Sequence, residues 1–110
     1  MIVKRANSYP VTIFIAGDLA TAKSAAREWT FTEGACVTVE PVSYIYTGGQ
    51  EEGVRVGFIN YPRFPSEPDV IKNKAQRLAI FLMERLYQNS FSIETPEETI
   101  WFSRREEGCK

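Results

Sequence analysis

From Val11 the chain alternates. Val11, Ile13 and Ile15 fall on one side and Thr12 and Phe14 on the other, with β-branched residues throughout, so VTIFIAG (Val11 to Gly17) reads as a strand. Asp18 then stands as an N-cap before LATAKSAAREW, where Leu19, Ala22, Ala26 and Trp29 share one helical face. Arg27 lies about 100° round from Ala26, beside that stripe, where it can face a neighbouring surface. After a turn at Glu33 and Gly34, Cys36 to Thr47 reads as a long strand, and Pro41, which lacks an N–H, marks an edge or a bulge. GGQEEG is expected to form the hairpin turn, and Val54 to Tyr61 the return strand. Val54, Val56 and Phe58 take one face of it, and Arg55, Gly57 and Ile59 the other. A cation beside a glycine leaves that second face charged and open to close approach.

YPRFPSEP cannot be helical before Pro68, because each proline biases its predecessor to extended geometry. With Ser66 as cap and Pro68 in the first turn, a helix is expected from about Glu67 to Gln88, its core stripe being Ile71, Ala75, Leu78, Leu82 and Leu86. Ile80 and Tyr87 point roughly the opposite way and Phe81 lies on a flank, positions suited to a partner chain or a ligand. Asn89 is placed to end the helix in the left-handed conformation. Ser90 to Glu94 reads as a short strand, Thr95-Pro96-Glu97-Glu98 as a turn, and Thr99 to Arg104 as the last strand. The order βαββαββ predicts one α+β domain over residues 1–110, a largely antiparallel sheet with two helices packed on one side.

Composition narrows the function. A chain of 110 residues can bury roughly 65% of its unfolded surface, and 44% apolar with 25% charged residues is an ordinary globular balance. The longest apolar runs fall far short of the roughly 20 residues that cross a bilayer. MIVKRANSYP carries no apolar stretch of signal-peptide kind, so a cytoplasmic protein is expected. A net charge of −1 argues against long nucleic acid as a partner while permitting a local basic pocket. The sequence has no histidine, which removes the commonest general base, nucleophile activator and zinc ligand together. Its carboxylates cluster in turn-like pairs, Glu51 with Glu52, Glu97 with Glu98 and Glu106 with Glu107, and Cys36 and Cys109 have no metal-ligand spacing. No catalytic residue, metal or cofactor is expected, and binding is favoured over catalysis. TIWFSRRE sharpens the point: an aromatic strand running into Arg104 and Arg105 suits an anion.

FINYPRFPSEPDVIKNKAQRLAIFLMERLYQN together with FSIETPEETIWFSRRE resembles the first described family of phage anti-Thoeris proteins, small sponges that sequester a bacterial immune signal. The similarity runs from VTIFIAGDLATAKSAAREW through the last strand. The resemblance implies capture of glycocyclic ADP-ribose, the signal made by Thoeris TIR-domain enzymes, in pockets formed between protomers. It also implies binding of cyclic oligonucleotide signals of the CBASS system, and homo-oligomers in which dimers assemble into a hexamer. By position, the family's ligand-contacting arginines fall on Arg27, Arg55 and Arg105, its asparagine on Asn89, its small hydroxyl residue on Ser103 and its aromatic on Phe81, where the spacing fits least well.

The chemistry of these residues suits such a ligand. Guanidinium groups give planar, two-toothed hydrogen bonds to pyrophosphate oxygens. Adenine needs an aromatic surface and a donor–acceptor pair at its edge, which Phe81 and Asn89 offer, with Tyr44, Tyr46, Trp101 and Phe102 as further stacking surface. Two other readings stay open. One is an oligomeric interaction module without a small-molecule ligand, and the other is a small enzyme, a phosphodiesterase or cyclic-nucleotide lyase built from carboxylates and arginines.

Overall fold

The computed structural model describes residues 1–105. Cys109 and the Glu106–Glu107 pair lie outside them. The elements are β1 (Val11–Ala16), α1 (Leu19–Glu33), β2 (Thr38–Tyr46), β3 (Gly49–Phe58), α2 (Pro68–Arg85), β4 (Ser90–Glu94) and β5 (Thr99–Ser103). The five strands form one antiparallel sheet in the order β2-β3-β1-β4-β5. The α+β class and the βαββαββ sequence are therefore as the pattern predicts. The first six elements have ferredoxin-like topology, to which β5 adds an outer strand beside β4.

Alternation decides which face is covered. Val11, Ile13 and Ile15 of β1, Val54, Val56 and Phe58 of β3, and Phe91 and Ile93 of β4 are buried on one side. The helices press onto them with Ala22, Ala25, Ala26 and Trp29 of α1 and Ile71, Ala75, Leu78 and Leu82 of α2. Phe102, expected to offer a stacking surface, instead turns inward and stacks on Phe91 at 4.8 Å between ring centroids. Among the described residues no helix covers the opposite face, where the outward-pointing side chains meet solvent.

Local chemistry sets the ends of the elements. Asp18 caps α1 by accepting from the Thr21 backbone N–H at 2.9 Å, and Gly34 closes that helix in the left-handed region with φ 70°. The hairpin turn is tighter than the glycine-rich stretch suggests. Tyr46 pairs with Gly49 and Tyr44 with Glu51, so Gln50, Glu51 and Glu52 belong to β3 and only Thr47 and Gly48 turn. Pro41 sits in β2, an edge strand, where its missing N–H leaves one side of the ladder intact. At the start of α2 the cap position is Glu67 and not Ser66; the Ser66 backbone N–H is bound instead by the Asn60 side chain at 2.9 Å.

The end of α2 differs most from expectation. The helix stops at Arg85, and the left-handed residue is Tyr87 at φ 55°, not Asn89. Gln88 donates its backbone N–H to the Met83 carbonyl at 2.9 Å and Tyr87 to that of Glu84 at 3.3 Å, the paired bonds of a Schellman motif. The buried Leu86, wedged against Gly17, fixes where the helix must stop, so the left-handed step falls on the residue after it.

Candidate functional site

The uncovered sheet face is built by register. Across the strands, Glu40, Arg55, Phe14, Ser92 and Trp101 are direct cross-strand neighbours, supplied in turn by β2, β3, β1, β4 and β5. In the next row Gly53 of β3 pairs with Ala16 of β1, and Ser90 of β4 with Ser103 of β5. These small side chains make a low floor between aromatic walls. Tyr44 leans over Gly53, where an added Cβ would come within 2.5 Å of its ring, and its hydroxyl donates to the Val54 carbonyl at 2.6 Å. Trp101, 69% exposed, stands across the groove. Phe14, Glu51 and Gln88 complete a groove of about 280 Å³. That is at the small end of the ~300–1,000 Å³ usual for small-molecule sites, so a ligand larger than a nucleoside would extend out of it.

Arg55 is a cation of this face. Its guanidinium carbon lies 5.7 Å from the Phe14 ring centroid, and it makes no ion pair among the described residues. Burial pushes the Tyr44 hydroxyl above its ordinary pKa, so at neutral pH Tyr44 is an uncharged ring wall with its proton committed to Val54.

The other residues singled out in the sequence separate into two groups. Ser103 stands on the open face and accepts the Arg105 backbone N–H at 3.1 Å, and Arg105 is exposed just beyond it. Asn89 sits at the same end of the sheet, where its side-chain oxygen accepts from Arg104 Nε at 3.3 Å. Arg104 turns toward the helices: Nη1 reaches Glu84 at 2.8 Å and Nη2 the Gln88 carbonyl at 2.9 Å. The adjacent arginines thus divide, Arg104 bracing the end of α2 while Arg105 is left to solvent. Arg27 and Phe81 lie in the helical layer, behind the sheet. Arg27 is exposed on α1 at a shallow hollow with Lys23, Thr30 and Cys36, whereas Phe81 is half-buried with the Arg85 guanidinium 4.4 Å from its ring centroid. Arg85 in turn pairs with Glu28 at 2.5 Å, which holds that carboxyl below its ordinary pKa.

Within one chain the structure thus brings Arg55, Ser103, Arg105 and the Asn89 junction to one side and leaves Arg27 and Phe81 on the other. The small floor and the tyrosine wall were not assembled from the sequence as a site. Phe14 and Arg55 were each assigned to the outer face by alternation, but their adjacency depends on the β1–β3 register. A larger cavity of about 640 Å³ lies beside the connection from β3 to α2, lined among others by Cys36, Tyr61, Phe64 and Lys74. It contains none of the ligand-contacting residues expected from the sequence, and its lining mixes apolar side chains with Thr30, Asn60, Ser66 and Lys74. The sheet groove holds the more specific chemistry.

Neither a family model nor a curated protein matches the sequence. Solved structures do match. A phage SAM lyase in its apo state superposes with a TM-score of 0.76 at 14% identity, over 96% of this chain and 98% of that one. A phage SAM lyase in complex with S-methyl-5′-thioadenosine gives 0.65 at 17% identity, over 100% of this chain and 98% of that one. Over nearly all of its length, the chain has the fold of these phage proteins.

Proposed function

We propose that this protein captures an anionic, adenine-containing cyclic nucleotide without cleaving it, as the anti-Thoeris resemblance implies for glycocyclic ADP-ribose. Arg55 carries this reading: an arginine with no ion pair among the described residues, beside Phe14, whose ring is one of the walls of the groove. The groove offers a purine faces to lie against and hydroxyls along its floor, and Arg55 and Arg105 offer donors to a pyrophosphate. Arg27 and Phe81, behind the sheet, reach the same ligand only from a second copy of the chain. The small groove volume agrees with a site that is completed between protomers.

Titration calorimetry with glycocyclic ADP-ribose, followed by heat denaturation and chromatography of the released ligand, tests this. The expected result is tight binding, intact ligand, and at least a tenfold loss, ~1.4 kcal/mol, in Arg55→Ala. Absence of binding to this nucleotide and to cyclic oligonucleotides would refute it.

The fold comparison favours a second reading, cleavage of SAM, since the two structures superposed above are SAM lyases and one holds S-methyl-5′-thioadenosine. Appearance of S-methyl-5′-thioadenosine on incubation with SAM would support a lyase and overturn non-catalytic capture.

A further inference from the structure

Tyr87 occupies the position where a helix most often ends in glycine. Its φ of 55° puts a bulky aromatic in the left-handed region, which costs an L-residue with a Cβ and is rare for one of this size. The residues on either side of it are held in place. Leu86, before it, is buried against Gly17; Gln88, after it, is held by Met83 through its N–H and by Arg104 through its carbonyl, both at 2.9 Å. The side chain gains nothing from the fold in exchange, being 89% exposed. A large apolar ring held by the backbone in a strained conformation and left in water is a feature that folding alone does not select. Its location supplies a reason. The next residue, Gln88, lines the sheet groove, as does Ser90; Tyr87 is outside that lining and one residue before it, where α2 hands over to β4.

We propose that Tyr87 is a ligand-binding residue of the groove, an aromatic rim that closes on the base or ribose of the captured nucleotide. The inference rests on the nucleotide-capture reading above. It predicts that stability and affinity respond in opposite directions to one substitution. Tyr87→Gly relieves the left-handed strain and raises the melting temperature of the free protein. The same variant loses the ring, and loss of one stacked base contact weakens binding by about 5- to 100-fold. Tyr87→Phe keeps the ring and the strain, so its affinity stays within about threefold of the parent.

The experiment measures melting temperature without ligand and calorimetric affinity for glycocyclic ADP-ribose in the parent, Tyr87→Gly and Tyr87→Phe. A higher melting temperature with weakened binding in Tyr87→Gly, and near-parental binding in Tyr87→Phe, supports the assignment. If the parent binds and Tyr87→Gly binds equally well, the rim role is overturned while nucleotide capture stands. If the parent binds neither this nucleotide nor cyclic oligonucleotides, nucleotide capture fails and the assignment falls with it.

Discussion

Two glycines on the open face separate packing from composition. Gly53 and Gly57 both lie on β3 and face the same way, so Gly→Ala at each adds the same methyl to the same strand. At Gly53 the new Cβ would stand 2.4 Å from the Ile15 carbonyl oxygen, 2.7 Å from the Ala16 Cα and 2.5 Å from the Tyr44 ring. Two of those three neighbours are main chain of β1, the central strand, and cannot swing away. At Gly57 the near contact is the Thr38 hydroxyl at 2.6 Å, on an exposed side chain of the edge strand that can change rotamer. Overpacking costs ~1–3 kcal/mol. Replacing a strand glycine by alanine returns ~0.5–1 kcal/mol of chain entropy. The net expected for Gly53→Ala is a loss of about 1–2 kcal/mol, or roughly 5–10 °C in Tm for a domain of this size, whereas Gly57→Ala stays within about 2 °C of the parent. Paired thermal melts followed by circular dichroism measure both. Because Tyr44 must leave its place over Gly53, the first variant also loses the groove wall and, on the capture reading, nucleotide affinity with it. Equal Tm shifts for the two variants, or a Gly53→Ala protein as stable as the parent, would refute the claim that the floor must be glycine for Tyr44 to cross it.

Removing Arg104 with Arg104→Ala unpairs Glu84 and frees the Gln88 carbonyl and the Asn89 side chain, so a loss of about 1–2 kcal/mol is expected by urea unfolding, with Arg104→Lys recovering only part of it. Asp18 is held below its ordinary pKa by the Thr21 backbone N–H, then by the Thr21 hydroxyl. Its contribution is therefore fully present above the unfolded carboxylate pKa of about 3.9 and is lost as pH falls through the lower folded value. Asp18→Ala should lower Tm by a few degrees at pH 7, a difference that shrinks as the pH falls below the unfolded carboxylate pKa of about 3.9. Leu78, fully buried under the sheet, should cost about 2–5 kcal/mol on Leu78→Ala. If a second copy supplies Arg27, mixed Arg27→Ala and Arg55→Ala preparations regain binding that neither shows alone, and unchanged mixtures would place both arginines in one copy's site or in none.

The legible part of this fold was the part governed by period and punctuation. Period-2 alternation in VTIFIAG and VRVGF identified the buried face, and the 3.6-residue stripe from Ile71 to Leu86 identified the long helix, because both patterns record a single buried side. The hairpin was misplaced because a glycine-rich string signals a turn without fixing its register; that is set by β2 and β3 pairing along their whole length. The helix end was misread for a related reason. Asn89 has the better intrinsic claim to left-handed geometry, but the buried Leu86 and the Arg104 bonds to Gln88 and Asn89 outweigh that local preference and put the strain on Tyr87. The groove was the least legible feature, since Gly53, Phe14, Tyr44 and Trp101 come from four strands and become neighbours only through long-range pairing.

Capture and cleavage make opposite demands on one side chain. Cleavage by elimination needs a group that can take a proton, and the groove offers few. Tyr44 is disqualified as a base at neutral pH, because burial raises its pKa and its proton is already given to the Val54 carbonyl. Glu51, paired across the hairpin from Tyr44, is the carboxylate that lines the groove among the described residues. Cleavage by proton abstraction in this groove therefore passes through Glu51, and Glu51→Gln, which keeps the shape and removes the charge, would abolish turnover of SAM by that route. For capture of a pyrophosphate the same carboxylate is a like charge at the edge of the site and a burden on affinity. Glu51→Gln should then leave binding of glycocyclic ADP-ribose unchanged or strengthen it a few-fold, while Arg55→Ala weakens it. One conservative substitution thus separates capture from cleavage by elimination by the sign of its effect, because a proton-transfer step cannot survive loss of the carboxylate and a bound phosphate gains from it.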